Sequence, residues 1–221
     1  MADGRGRYDR WHLARADARD AGSVPSIRMT TVREWAAAAG STPDPDRPVA
    51  EDLALAPPAT IAIHYVTRSE EEGRQRGAGF GSLVHGVLAQ APFDAAEQTL
   101  DNLAGIEARM LGLSSDDAAA AAGVAARVLA HDLLVRAKAA DVRGACRRET
   151  PITYRLADGT FLEGIVDLAF EDRGAWTVVD YKTDFELAAL GADQYRLQVA
   201  AYASAIARAT GAPCRGIVLV V

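Results

Sequence analysis

The sequence predicts an α/β sandwich, and three observations carry that prediction. From Ile152 to Lys182 the residues have the composition and period of strands, punctuated by turn residues at Asp158-Gly159 and Arg173-Gly174. From Gly77 to Ala140, and again from Asp193 to Ala209, the apolar period is helical. Beyond Gly211 and Pro213, Gly216 to Val221 is an apolar run suited to a buried strand. A meander of three antiparallel strands, a helix and a further strand, preceded by helices, is the architecture expected.

The chain begins unevenly. Arg7 to Arg19 is strongly charged, Thr30 to Ala39 reads as a short helix capped by Thr30 or Thr31, and Ser41 to Pro48 carries Pro43, Pro45 and Pro48. Residues 1–75 are therefore expected to be a linker or tether, and residues 76–221 the folded domain. Arg5, Arg7, Arg10, Arg15 and Arg19, with Tyr8 and Trp11 interleaved, suit a solvated face better than a nucleic-acid contact. No phosphate-binding loop of the GxxxxGK[ST] type is present, so the chain is not itself a motor.

Between Gly77 and Ala91, Phe80, Leu83, Val84, Val87 and Leu88 share one helical stripe. His85 sits at its edge, one turn after Gly81, and on its own reads as a histidine at a helix–core boundary. Asp94 to Met110 and Ser114 to Ala140 read as two further helices, the second capped near Ser114, with Val124, Val128 and Val135 on one stripe. His64 and His131 lack ligand spacing and read as structural.

The strand pair from Glu163 to Thr183 organises the rest. If Arg173-Gly174 forms a two-residue loop, Asp172 pairs with Ala175, and counting back sets Asp167 opposite Asp180. Alternation then puts Lys182 on the Asp180 face, and Glu163 and Ile165 on the Asp167 face. Like charges opposed among apolar residues call for a cation, and a hard divalent metal, magnesium or manganese, is the simplest. Lys182 would then reach water or phosphate. The alternative is an ordinary Asp180–Lys182 ion pair with Asp167 as a strand-end charge. In the helix that follows, Tyr195, Gln198 and Tyr202 fall at i, i+3 and i+7 on one face, to pack on the sheet or to reach substrate.

Gly164-Ile165-Val166-Asp167-Leu168, then Val179-Asp180-Tyr181-Lys182-Thr183, then Tyr195-Arg196-Leu197-Gln198 with Tyr202, resembles as an ordered set the C-terminal nuclease domain of RecB/AddA helicase-nucleases, in the PD-(D/E)XK superfamily. Gly81 and His85 match that family's GxxxH element, and Glu149 matches an acidic residue before the first strand, with a catalytic or a structural role. The resemblance runs from near Arg76 to Val221 and implies an αβββαβ nuclease core, with residues 1–75 as a tether or the end of a helicase part. It further implies Mg²⁺-dependent hydrolysis of DNA phosphodiesters at DNA ends in double-strand break repair. Metal would be held by His85, Asp167, Asp180 and the Tyr181 carbonyl, with Lys182, Gln198 and Tyr202 completing the catalytic set. Glu163 is not singled out. The implied partners are DNA, a UvrD/Rep-type helicase domain or subunit and an AddB-like protein. A non-catalytic DNA-end-binding module, the rival reading, would have eroded ligands, and none is eroded. A stand-alone restriction or CRISPR-associated exonuclease is a second rival; the latter often carries cluster-binding cysteines.

Composition bounds these readings. With 221 residues, 49% hydrophobic and 24% charged, the chain has material for a real core. Its two cysteines, Cys146 and Cys214, lack the spacing of a zinc site and the number of an iron–sulfur cluster. The charged amino end and the want of a long apolar run give the expectation of a cytoplasmic protein. A net charge of −6 is awkward for a DNA enzyme, so basic residues should concentrate on one face or a partner should supply affinity.

Overall fold

The computed structural model describes residues 2–41, 60–66, 77–183 and 192–221. In chain order these form α1 (Ala2–Ser23), β1 (Met29–Thr31), α2 (Val32–Ser41), β2 (Ile61–Tyr65), α3 (Ala78–Gln90), α4 (Glu97–Leu111), α5 (Ser115–Ala130) and α6 (Asp132–Asp141). There follow β3 (Cys146–Arg155), β4 (Phe161–Asp172), β5 (Ala175–Lys182), α7 (Ala192–Thr210) and β6 (Cys214–Val220). The expected α/β class is observed: a mixed six-stranded sheet with helices on both faces.

The two hairpins form where their turn residues lie. Gly159 takes φ 86 and Asp158 caps the turn, accepting from the Thr160 N–H at 2.9 Å. At the second hairpin Arg173 and Gly174 take φ 56 and 82, the positive pair a two-residue turn requires. Asp172 accordingly pairs with Ala175, and the ladder runs back to Leu168–Val179 in the expected register. It stops one pair short of Asp167–Asp180.

The reason lies in how β4 is shared. β3 pairs along one edge of β4, from Phe161 to Phe170. On the other edge β5 holds Leu168 to Asp172 and the three-residue β1 holds Phe161 to Glu163 in parallel. Among the described residues, Gly164 to Asp167 therefore have no ladder partner on that edge, and the sheet is open there. β6 returns through α7 to lie parallel to β5, and β2 lies parallel beyond β6. Pro151 is tolerated in β3 because, among the described residues, that strand pairs with β4 alone.

Leu168, Phe170, Val179 and Leu219 pack against α3 to α6 on one face, with Leu83, Val87, Leu100, Val128 and Leu134. Leu162, Val166, Val178 and Val218 pack against α2 and α7 on the other, with Val32, Tyr195 and Val199. On β4 the residues of the α7 core are Leu162, Val166 and Ala169 and those of the opposite core are Leu168 and Phe170. The simple alternation expected through Glu163, Ile165 and Asp167 thus shifts phase at Asp167. Opposite Asp167 in the register, between Arg148–Leu168 and Thr150–Val166, Glu149 has φ 45, so β3 kinks at the same level.

Upstream of the expected boundary at 75/76, β1 and β2 are strands of the sheet and α2 packs on it. Thr31 and Glu34 form a reciprocal cap on α2, each backbone N–H reaching the other's side chain at 3.1 Å. The arginine-rich start is helix α1. The long helix expected from Ser114 is broken at His131, where the chain bends by 72° and the His131 Nδ1 accepts from the Leu133 N–H. That bend takes Val135 off the Val124–Val128 stripe and leaves it 55% exposed. The proline-rich stretch Ser41 to Pro48 falls, after Ser41, outside the described residues. Among the described residues no single helix is long and apolar enough to cross a membrane. Both cysteines are free thiols, and burial pushes Cys146 up to about 11 and Cys214 up to about 12.

Candidate active site

The opening between β4 and β5 gathers the polar groups that the sequence singled out. At its centre is the backbone of Tyr181. Its N–H donates to Asp167 Oδ2 at 2.8 Å, replacing the ladder bond that the sheet does not make there. Its carbonyl accepts from Lys182 Nζ at 3.0 Å and from His85 Nε2 at 2.9 Å. One peptide backbone thereby joins β4, β5 and α3.

Asp180 and Lys182 alternate onto the α7 side of β5, where Val178 also packs. Both are buried, at 2% and 7% exposure, with Nζ 2.7 Å from Asp180 Oδ2. The ammonium holds Oδ2 as an ion pair, and among the described residues that buried oxygen has no well-aligned hydrogen-bond donor. The ammonium also lies 5.1 Å from the centre of the Tyr195 ring. Burial pushes the Asp180 carboxyl above its ordinary range, against the pull of Lys182.

Asp167 and His85 form the other half. Burial alone would raise the Asp167 carboxyl, but the His85 ring beside it holds it below the usual range. For His85, burial works against the charged ring, yet the Asp167 carboxylate 3.6 Å from Nδ1 outweighs it and the pKa lies at about 8. Both ring nitrogens face acceptors in this arrangement.

From α7, buried Gln198 donates through Nε2 to Asp180 Oδ1 at 3.3 Å and to the Tyr202 hydroxyl at 3.2 Å. Burial pushes the Tyr202 phenol up to about 12. Its ring lies over Gly164, where a Cβ would come within 2.7 Å of a ring carbon, so the glycine of the Gly164–Leu168 run makes room for the tyrosine. Lys182, Asp167, Asp180, Gln198, Tyr202, His85 and Tyr181 are thus brought together. Glu163 is exposed on the segment that β1 covers and takes no part in this network.

Glu149 was left between two roles by the sequence. It stands beside Asp167, and burial together with the Asp167 charge raises its carboxyl. Arg148 was missed altogether. Its guanidinium donates to the Ala91 carbonyl at 2.7 Å and to that of Leu88, capping the C-terminal end of α3 and fixing the helix that carries His85. It also lies 4.6 Å from the centre of the Phe93 ring. In the run Arg147-Arg148-Glu149 nothing in the sequence set it apart from its charged neighbours.

The donor set suits a hard cation: two carboxylates and a carbonyl, with Asp180 Oδ2 buried and, among the described residues, without a well-aligned donor. Among the described residues no three His, Cys, Asp or Glu side chains stand as a ready metal cage. The ammonium of Lys182 and the ring of His85 hold the oxygens instead.

No curated protein matches the chain. The model of the PD-(D/E)XK nuclease superfamily matches residues 58–219, beginning upstream of the expected boundary and taking in β2 to β6 with all the residues above. A match over that much of the sequence, on a sheet and helices arranged as such a core requires, establishes that this chain belongs to the PD-(D/E)XK nuclease superfamily.

Proposed function

We propose that this protein is a metal-dependent deoxyribonuclease of the RecB/AddA type, hydrolysing phosphodiesters at DNA ends as an exonuclease. The observation that carries the proposal is the buried Asp180–Lys182 pair with its ammonium on the Tyr181 carbonyl, beside Asp167. A lysine buried for structure alone would more cheaply be an apolar residue, because burying an ion pair rarely improves stability.

Asp167, Asp180 and the Tyr181 carbonyl would hold the ion, with His85 as a further ligand, and Mg²⁺ or Mn²⁺ suits the oxygen-rich set. When bound, the ion would polarise the scissile phosphate and lower the pKa of a water. Lys182 donates to the attacking water or to the phosphate oxygen that gains charge, an electrostatic role that needs a buried and fixed ammonium. Gln198 holds Asp180 Oδ1 and Tyr202 and so keeps the carboxylate in one orientation. Arg148 keeps α3 in place behind His85.

A UvrD/Rep-type helicase and an AddB-like subunit are part of the same proposal, as is a role in double-strand break repair. They are supported by the ordered motif set and by the net charge of −6, which leaves DNA affinity to a partner. The test is cleavage of end-labelled linear DNA and of a closed circle with Mg²⁺. Cleavage of the linear form alone, abolished by Asp180→Asn, is the expected result. Equal attack on the circle would overturn the end-dependence, and undiminished activity of Asp180→Asn would overturn the site.

A further inference from the structure

Helix α1 runs for 22 residues and is exposed on all sides where its side chains are described, apart from the half-buried Gly6. Three of its five arginines share one face. Arg5, Tyr8, His12, Arg15 and Arg19 fall at i, i+3, i+7, i+10 and i+14, on one face. Asp9, Leu13, Asp17 and Asp20 fall at i, i+4, i+8 and i+11, on another. Arg7 and Arg10 lie off the first face, Arg10 next to Asp17, so the arginine excess is local to the face that carries Arg5, Arg15 and Arg19.

The basic face also carries aromatic rings held together in the open. Trp11 lies 6.0 Å from Tyr8 between ring centres and Arg15 lies 5.3 Å from the Trp11 ring, yet Trp11 is 53% and Tyr8 60% exposed. Exposed rings beside arginines match a ligand that offers flat apolar faces and negative charge at a short repeat. An unpaired nucleic-acid strand offers both; a duplex offers the charge but keeps its base faces covered.

We infer that α1 is a docking face for single-stranded nucleic acid, in which Arg5, Arg15 and Arg19 contact phosphates and Trp11 and Tyr8 stack on bases. The inference rests on the nuclease reading for its ligand, and names the strand form that is recognised away from the Asp180–Lys182 centre. It also accounts for part of the charge problem, because in a chain of net charge −6 this face gathers arginine without acid.

The experiment uses the full chain in EDTA, so that nothing is cut, and measures binding of an oligothymidylate, of a blunt duplex of equal length and of phosphatidylserine vesicles over a range of salt. The expected result is preferential binding of the single strand. An Arg5→Gln, Arg15→Gln, Arg19→Gln variant should then lose about 2 from the slope of log K against log salt, at roughly 0.7 per phosphate contact. Trp11→Ala should bind about tenfold more weakly, with its slope unchanged. The inference is overturned if the wild type does not bind the single strand, if the variants bind it as the wild type does, if the duplex is bound equally well, or if the variants lose only vesicle binding. Asp180→Asn separates this from the nuclease reading. If it abolishes cleavage while the α1 variants bind normally, the α1 face is wrong and the nuclease stands; if no variant cleaves yet binding follows α1, the reverse holds.

Discussion

The Tyr181 N–H donates to the Asp167 carboxylate across an opening in the sheet, at 2.8 Å. Asp167 therefore does structural work as well as supplying charge. Asp167→Ala removes the acceptor of a buried backbone donor and should cost about 1–3 kcal/mol. Asp167→Asn keeps an oxygen for that donor and should fold nearly as well, while losing a negative ligand. Calorimetry with Mg²⁺ or Mn²⁺ should find one site in the wild type and none in Asp167→Asn or Asp180→Asn. Undiminished binding in either removes that residue from the ligand set.

Lys182 answers to a different measurement. The ammonium offers no lone pair to a metal, so its removal should spare metal affinity and slow the chemical step, by about 10²- to 10³-fold for a lost electrostatic stabiliser. Lys182→Ala also strips Asp180 of its counter-charge, and breaking a buried pair this way costs about 3–5 kcal/mol. With metal affinity spared, Mg²⁺ should raise the melting temperature of Lys182→Ala at least as far as that of the wild type. A variant that cleaves saturating linear DNA at nearly the wild-type rate would make the lysine purely structural.

Much of this centre was legible in the chain because it is local. The Arg173-Gly174 turn sets the register by counting, and helical spacing puts Tyr195, Gln198 and Tyr202 on one face. What was not legible depends on contacts distant in sequence. β1 is three residues long and carries no pattern of its own, yet by taking Phe161 to Glu163 it fixes how much of β4 stays open. The phase shift at Asp167 needs the kink at Glu149, eighteen residues earlier and on another strand. Face assignments from alternation consequently placed Glu163 with Asp167, when Glu163 is exposed. Arg148 was invisible for the same reason, since its partners are carbonyls at the end of α3.

Acid stability should depend on the tie between α6 and the end of β4. Arg136 donates to Asp172 Oδ2 at 2.9 Å through Nε and at 2.5 Å through a terminal nitrogen. These contacts hold the Asp172 carboxyl below its ordinary range. The folded state therefore binds that proton less readily than the unfolded state. The tie contributes fully above the unfolded carboxyl pKa and is lost as pH falls through the folded value. Arg136→Gln should lose stability near neutrality and show a shallower acid slope below about pH 4, near the unperturbed aspartate value. Urea midpoints taken across that range check it; parallel curves for the two proteins would show that Asp172 is not linked to folding.

Gly164 and Tyr202 give the most specific packing test. A Cβ at Gly164 would lie 2.7 Å from a Tyr202 ring carbon, 3.0 Å from its hydroxyl and 3.2 Å from Val32 Cγ2. Gly164→Ala must therefore push the ring away, and overpacking of this kind costs about 1–3 kcal/mol. The ring cannot move without disturbing the Gln198 amide, which donates both to its hydroxyl and to Asp180. Cleavage should fall with stability for that reason. Tyr202→Ala alone loses packing against Val32 and Leu162, but it empties the space that the new methyl needs. In that background Gly164→Ala should cost well under its single-variant value, so the two changes are non-additive in the double-mutant cycle. Denaturant midpoints for the four proteins, read with their slopes, measure the coupling. Additive costs would mean that the glycine is required for its backbone conformation or by Val32, and that Tyr202 does not occupy the place above it.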